Sequence, residues 1–513
     1  MVSLPENNVP WPPPQIAPYL RDLAIDDAWY SGDKTKLRTV YALQGYDNGT
    51  GDLRDERGRG WRFWERPRPI GRRDNRLHVP LAADIASTSA DLLFSEPPTF
   101  TVDNKETQTR LDQILTEGGA ANTLLEGAEV AAALGGVYLR VTWNADLAQR
   151  PLLTTVHADC AVPDFAFGIL TGVTFWREVL REGNTVWRHL ERHEPGRILH
   201  GLYEGTQDNL GTAQPLTEHE ATRDLATSLG PEGNEIETGI KQLTAAYIPN
   251  MRPNRRFRGS QWGRSDWQDD GIRDLFMSLD ETYTSWMRDV RLAKARLMIP
   301  SGMLQSEGPG KGSSWDDDKE LYAEFNAPPT SGEGLTLVQF AIRVQEHEQT
   351  WKALSRKAVE SAGYAAQTFG LGDSTAITAT EVVSQERSSM ITRDRKGLYW
   401  LPELGQMAEV MLAMDRQLGF SSIEVERPRV EFGDSVSEDP KTTAETIELL
   451  ARAQAISTET KVRMRNPDLE DTEVKAEVDR ILKETGQLVN DPTATGAEGP
   501  GTPGFGQGGE EAN

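Results

Sequence analysis

The stretch SLDETYTSWMRDVRLAKARLMIP, Ser278 to Pro300, carries apolar residues at Leu279, Tyr283, Trp286, Val290, Ala293 and Leu297. Those positions are three or four apart throughout, so they share one face of a 3.6-residue helix. The spacing predicts a helix over 275–297, with roughly 27 Å between Leu279 and Leu297 at the standard rise. Pro300 ends it. A second stripe follows after a loop-rich insert, in AIRVQEHEQTWKALSRKAVESAGY: Val344, His347, Trp351, Leu354, Ala358 and Ala362. Two long helices therefore flank an insert (298–340), and GLGDST follows the second helix (341–364). TATEVVSQERSSMITRDRKGLYWLPELGQMAEVMLAMDRQLGF then predicts a third and very long helix, bent at Pro402.

Upstream, LHVPLAADIASTSADLLFSEPP reads as a helix stopped by Pro97-Pro98, and TFTV as a strand. A helical stretch from Leu111 to Leu134 is interrupted at Gly118-Gly119, and Val137 to Trp143 alternates as a strand. From Pro151 to Tyr247 short apolar runs alternate with turn residues, a mostly β subdomain in which Glu194-Pro195-Gly196 closes a hairpin. Downstream, IEVERPRVEFGD is strand-like. Capped helices are expected at DPKTTAETIELLARAQA, with Pro440 in the first turn, from Ser457, and up to Gly486. The tail from Gln487 holds seven glycines, four acids and no Lys or Arg, a composition expected to be disordered.

The chain has 513 residues, 79 acidic against 55 basic, and a formal net charge of -24. Such a surface does not gather nucleic acid by bulk attraction. The lone Cys160 excludes an internal disulfide and fits a reducing compartment. No run reaches the roughly 18 apolar residues of a membrane span, and MVSLPENNVPWPPPQIAPYL lacks the plan of a signal peptide. An intracellular product is expected.

Candidate chemistry is sparse. GLGDSTAITATEV (Gly370–Val382) has the glycines of a phosphate loop but no lysine after them, and a helix rather than a strand precedes it. His189 and His193 flank Glu191 on one strand face, without the spacing of a helical zinc motif. Structural histidines are expected there. Asp316, Asp317 and Asp318 form an acidic knot without calcium-loop spacing, so a solvated loop is expected. RDERGRGWRFWERPRPIGRR (Arg54–Arg73) mixes eight arginines with Trp61, Phe63 and Trp64. Such a mixture can stack on single strands; a surface arm packing on a neighbour is the expectation. No serine elbow or cysteine nucleophile signature is present. Neither a catalytic residue, a metal nor a cofactor is assigned.

The order of these elements resembles the portal proteins of tailed bacteriophages, in particular siphoviruses infecting actinobacteria. The likeness rests on LHVPLAADIASTSADLLFSEPP, SLDETYTSWMRDVRLAKARLMIP, GYAAQTFG with TATEV, and FGDSVSEDPKTTAETIELLARAQAISTET, spread in order over most of the chain. It implies an α+β portal fold. The wing would be 1–274, the first stem helix 275–297, the clip 298–340 and the second stem helix 341–364. A tunnel loop would follow at 365–377, a long wing helix and strand at 378–434, crown helices at 435–486 and a disordered tail at 487–513.

The resemblance further implies a twelve-membered homo-oligomeric ring at one capsid vertex, contacting the major capsid protein, the large terminase subunit and a head-tail adaptor. Double-stranded DNA would pass through it during packaging and ejection, without sequence specificity. The ring would belong to the virion after assembly in the host cytoplasm. The loop Thr368, Phe369, Gly370, Leu371, Gly372, Asp373, Ser374 and Thr375 would face DNA. Lys294, Arg296 and Arg343 are candidates for the channel lining, and Asp316, Asp317 and Asp318 for clip contacts with connector or terminase. The alternative reading is a metal-dependent enzyme on nucleic acid or nucleotide, with carboxylates around Asp316 to Glu320 and the Gly370 loop near phosphate.

Overall fold

The computed structural model describes residues 4–43, 76–229, 233–292, 296–298, 336–338, 342–372, 379–433, 440–453, 455–466 and 471–485. The chain divides into two compact units, Met1–Ser435 and Val436–Asn513.

The first unit opens with helices α1 (Ala17–Ser31), α2 (Lys34–Leu43) and α3 (Leu81–Phe94), followed by strand β1 (Thr99–Thr101). Helices α4 (Lys105–Glu117) and α5 (Ala120–Leu134) are separated where Gly119 takes φ 65°, a left-handed geometry that glycine adopts without a Cβ clash. Asn104 caps α4 by accepting from the amides of Glu106 and Thr107. Strands β2 (Gly136–Thr142), β3 (Leu152–His157) and β10 (Ala245–Pro249) make an antiparallel sheet in the order β10-β2-β3. The sheet carries α5 against it. Gly127 permits the close approach, since a Cβ there would stand 2.9 Å from Thr155 Cγ2, and Ala128, Ala131 and Ala132 continue the small-residue face.

A larger sheet contains β4 (Ala161–Ala166), β5 (Ile169–Glu182), β6 (Thr185–Glu194), β7 (Arg197–Thr206) and β8 (Asn209–Gln214) in consecutive antiparallel order. Helix α6 (Glu220–Leu229) follows, and β9 (Glu235–Glu237) pairs with β7. The expected hairpin is there: β6 and β7 pair from Val186↔Gly205 to Glu194↔Arg197, and Gly196 turns with φ 89°. The N-terminal segment straps the β8 edge. Asn8 N donates to Gly211 O at 2.6 Å and Trp11 N to Asp208 O at 3.1 Å.

Helices α7 (Asp270–Leu292) and α8 (Val344–Ala362) come next, with a short ladder of β11 (Arg296–Met298) and β12 (Thr336–Val338) between them in sequence. This corrects the expected helix boundary at 297. Arg296, Leu297 and Met298 form a strand opposite Val338, Leu337 and Thr336. The returning segment supplies partners for these backbone amides and carbonyls in place of a helical turn. Helix α9 (Ala379–Gln417) runs 39 residues with Pro402 inside it, roughly 57 Å at the helical rise. Strand β13 (Arg429–Glu431) then pairs with β1.

The main core of this unit joins α1–α5, the β10-β2-β3 sheet, α7, α8 and α9, while the large sheet carries smaller clusters of its own. Trp29, Trp267 and Trp400 are all but completely buried; each contributes roughly 1.5–3 kcal/mol or more by leaving water. Trp400 meets Phe94 edge-on at 4.8 Å. The second unit holds α10 (Pro440–Arg452), α11 (Thr458–Arg465) and α12 (Asp471–Glu484). Ser457 caps α11 by accepting from Thr460 N at 3.2 Å, and Val462 and Val474 are buried. The fold is α+β.

Candidate functional site

Helices α7 and α8 form an antiparallel pair. At one end Tyr364, just past α8, donates its hydroxyl to Asp266 at 2.7 Å, just ahead of α7. Towards the other, Trp286 stacks on His347 at 6.0 Å and 7°, and Asp289 accepts from His347 at 3.0 Å and Arg343 at 3.2 Å. Those two donors hold the Asp289 carboxyl below the usual carboxylate range. The near half of the pair is core, with Ile272, Phe276, Leu279, Ala358 and Val359 buried. The far half is not: Val290 is 41% exposed and Val344 43%. An open cleft of about 500 Å³ between the helices is lined by polar groups including Glu281, Ser285 and Glu346.

Two buried ion pairs fix the near end. Arg273 on α7 donates to Asp26 at 2.6 Å and to Asp22 at 2.9 Å, both on α1. Ser265 donates to Asp26 and Gln268 to Asp22. Burial pushes Asp26 up to about 6, with Arg273 pulling the other way. Burial also opposes the Arg273 charge, but Asp26 and Asp22 override it and hold its pKa above the ordinary arginine value. In the second pair Lys396 on α9 donates to Asp266 at 2.8 Å, Ser89 at 2.6 Å and Tyr364 at 2.9 Å. Burial lowers the Lys396 pKa against the attraction of Asp266. A carboxylate further along α7 gathers the ends of another segment. Asp280 accepts from Tyr41 at 2.6 Å, Val79 N at 2.7 Å and His78 at 3.0 Å, and Arg76 lies 4.7 Å from the Tyr41 ring.

The glycine segment begins at this root. Ala366–Phe369 is a single 3-10 turn closed by Gly370 at φ 68°. Ala365 N donates to Ser389 Oγ at 2.9 Å, Thr368 shares a hydrogen bond with Ser389 at 2.9 Å, and Arg356 donates to Leu371 O at 2.8 Å. Phe369 and Leu371 are half-buried against the core, while Gly370 and Gly372 are exposed. So five of the eight residues expected to face DNA are described, and three of those five are tied to the body. Asp373, Ser374 and Thr375 lie outside the described residues, as do Lys294 and Asp316, Asp317 and Asp318. Arg296 is in the β11 ladder. Arg343 is 68% exposed and paired with Asp289.

The histidines of the large sheet form a closed network. His193 bonds Glu191 at 2.8 Å and Thr244 at 2.6 Å, and Arg140 donates to Glu191 at 2.7 Å. Burial works to raise the Glu191 pKa, but His193 and Arg140 hold it far below the usual value. His189 stacks on His200 at 5.4 Å and 5°. Among the described residues no three His, Cys, Asp or Glu side chains are placed to hold a metal ion, and no described helix is long and apolar enough to cross a membrane. Sequence reasoning missed Asp22, Asp26, Asp266 and Lys396. A charged residue within a helical stripe was the available signal for Asp22, Asp26 and Lys396; Asp266, in a turn ahead of α7, offered none.

Residues 30–166 match the model of a family described as phage portal protein, SPP1 Gp6-like. That span runs from the end of α1 through β4. No curated protein matches the sequence. Among solved structures, the chain is similar to one titled "Neck of empty GTA particle computed with C6 symmetry", at 12% identity and a TM-score of 0.40, over 78% of this chain and 90% of that one. The likeness to phage portal proteins drawn from the sequence is thus met by the family match over 30–166.

Proposed function

We propose that this chain is the subunit of a phage portal: a ring of identical copies at one vertex of a virion, forming a passage for double-stranded DNA. The observation that carries the reading is the portal-family match over 30–166. The antiparallel pair α7–α8, its near half seated in the core and its far half uncovered, supports assigning it to the stem. The glycine turn at Gly370, rooted on α9 beside that pair, supports assigning the segment around it to a tunnel loop. In this reading 298–340 is the clip, α10–α12 the crown, and the ring has twelve members. A terminase motor drives DNA through it during packaging, and a head-tail adaptor attaches afterwards.

The net charge of -24 fits a conduit better than a clamp. Each phosphate-gripping cation adds salt-dependent affinity and retards sliding, whereas an acidic wall repels the duplex. The test is native mass spectrometry of the purified chain with negative-stain imaging. Closed rings with a central hole are expected. A chain that stays monomeric at every concentration and beside its capsid protein overturns the reading.

A further inference from the structure

The hairpin joining β4 to β5 turns through two residues, Phe167 and Gly168, with φ 52° and 86°. Positive φ at both central positions is the twist-matched hairpin turn that Asn-Gly fills best. An aromatic residue there is strained, and it is not repaid by burial: Phe167 is 106% exposed and Ile169 is 69% exposed. A tip selected for folding alone would carry a polar residue.

Beside this tip lies the segment Met251–Arg264. The Gln261 amide stands 3.6 Å from where a Cβ on Gly168 would lie, and Gln261 accepts from Arg252. The segment holds five arginines (252, 255, 256, 258 and 264) and no acid, in a chain of net charge -24. Arg255 and Arg256 pair with Asp269, Asp270 and Asp22. Arg258 is exposed and has no ion-pair partner among the described residues. An exposed apolar knob thus adjoins a basic island on an acidic protein.

We infer that Phe167 and Ile169, together with Arg258 on the segment that adjoins the tip through Gln261, form one half of a head-to-tail contact with a second copy of this chain. The inference rests on the ring reading. A closed ring needs heterologous contacts that join two different patches of each subunit. Charge complementarity picks the occupant. An arginine island repels its own copy but attracts the acidic remainder of the next, and the aromatic knob supplies the desolvated anchor typical of such contacts.

The experiment is a concentration series of the full chain by analytical ultracentrifugation, with melting temperatures measured alongside. Phe167→Asn installs the favoured turn sequence, so the monomer is expected to melt no lower than the parent. The concentration at half assembly should nonetheless rise about tenfold or more. Arg258→Glu, which touches no core group, should weaken assembly similarly and reverse its salt dependence. Rings that form equally well in both variants overturn this surface and leave the portal reading standing. A parent chain that never assembles overturns both.

Discussion

Lys396 Nζ lies 2.8 Å from Asp266 Oδ2, with 1% and 0% of the two side chains exposed. The pair ties α9 to the segment leading into α7, and through Tyr364 to the end of α8. Removing one charge leaves the other buried and unpaired, which costs about 3–5 kcal/mol. Lys396→Met should therefore lower stability in urea by that amount. Lys396→Met with Asp266→Leu should recover only part of it, because Tyr364 and Asn250 then lose their acceptor. A single variant within 1 kcal/mol of the parent would mean that the pair does not hold these elements.

Acid should loosen the large sheet. Burial above all holds His189 and His200 down at about 4, against an ordinary value of 6.5; the charge of His200 adds to it at His189 and that of His193 at His200, while Glu191 pulls both the other way. Between those values the unfolded chain binds more protons, so stability is complete above pH 6.5 and falls as pH drops towards 4. Each pH unit in that window removes up to about 1.4 kcal/mol per histidine. The melting temperature should fall from pH 7.5 to pH 5, and His189→Gln with His200→Gln should flatten that fall. An unchanged slope in the double variant would assign the acid sensitivity elsewhere.

Gly211→Ala should be severe. The residue sits at φ 77°, and a Cβ would lie 1.9 Å from the Glu204 carbonyl oxygen, a backbone atom that cannot step aside. Beyond the roughly 1–2 kcal/mol of left-handed backbone, the β7–β8 turn must open, and with it the N-terminal strap bonded to Gly211 O. Faster proteolysis near residues 4–11 would report it; parent-like protease resistance would contradict it.

Gly370→Ala is the mild counterpart. Here φ is 68° but nothing lies within 4 Å of a Cβ, so only the left-handed backbone strain of roughly 1–2 kcal/mol is added. Gly370→Asn should cost less, since asparagine tolerates this conformation. Equal melting curves for both variants would show that the turn is not held in the left-handed region.

Local rules carried much of the architecture. The Gly118-Gly119 break, the Pro195-Gly196 hairpin, the Ser457 cap and the stripe from Val344 to Ala362 are each decided within a few residues of chain. What escaped was decided across it. Helices α1 and α2 are anchored remotely: Asp22 and Asp26 of α1 meet Arg273, about 250 positions away, and Tyr41 of α2 meets Asp280. The helix expected to reach Leu297 fails at the point where Thr336–Val338 returns to pair with it. The Gly370 segment was expected to face DNA, and nothing local announces Ser389 and Arg356 as its anchors.

Asp280 joins Tyr41, His78 and Val79, so α2 and the segment leading into α3 are held at a single carboxylate of α7. Tyr41 and His78, 37 positions apart in sequence, meet at the same carboxylate oxygen, so one side chain of α7 brings two distant points of the chain together and sets the distance between them.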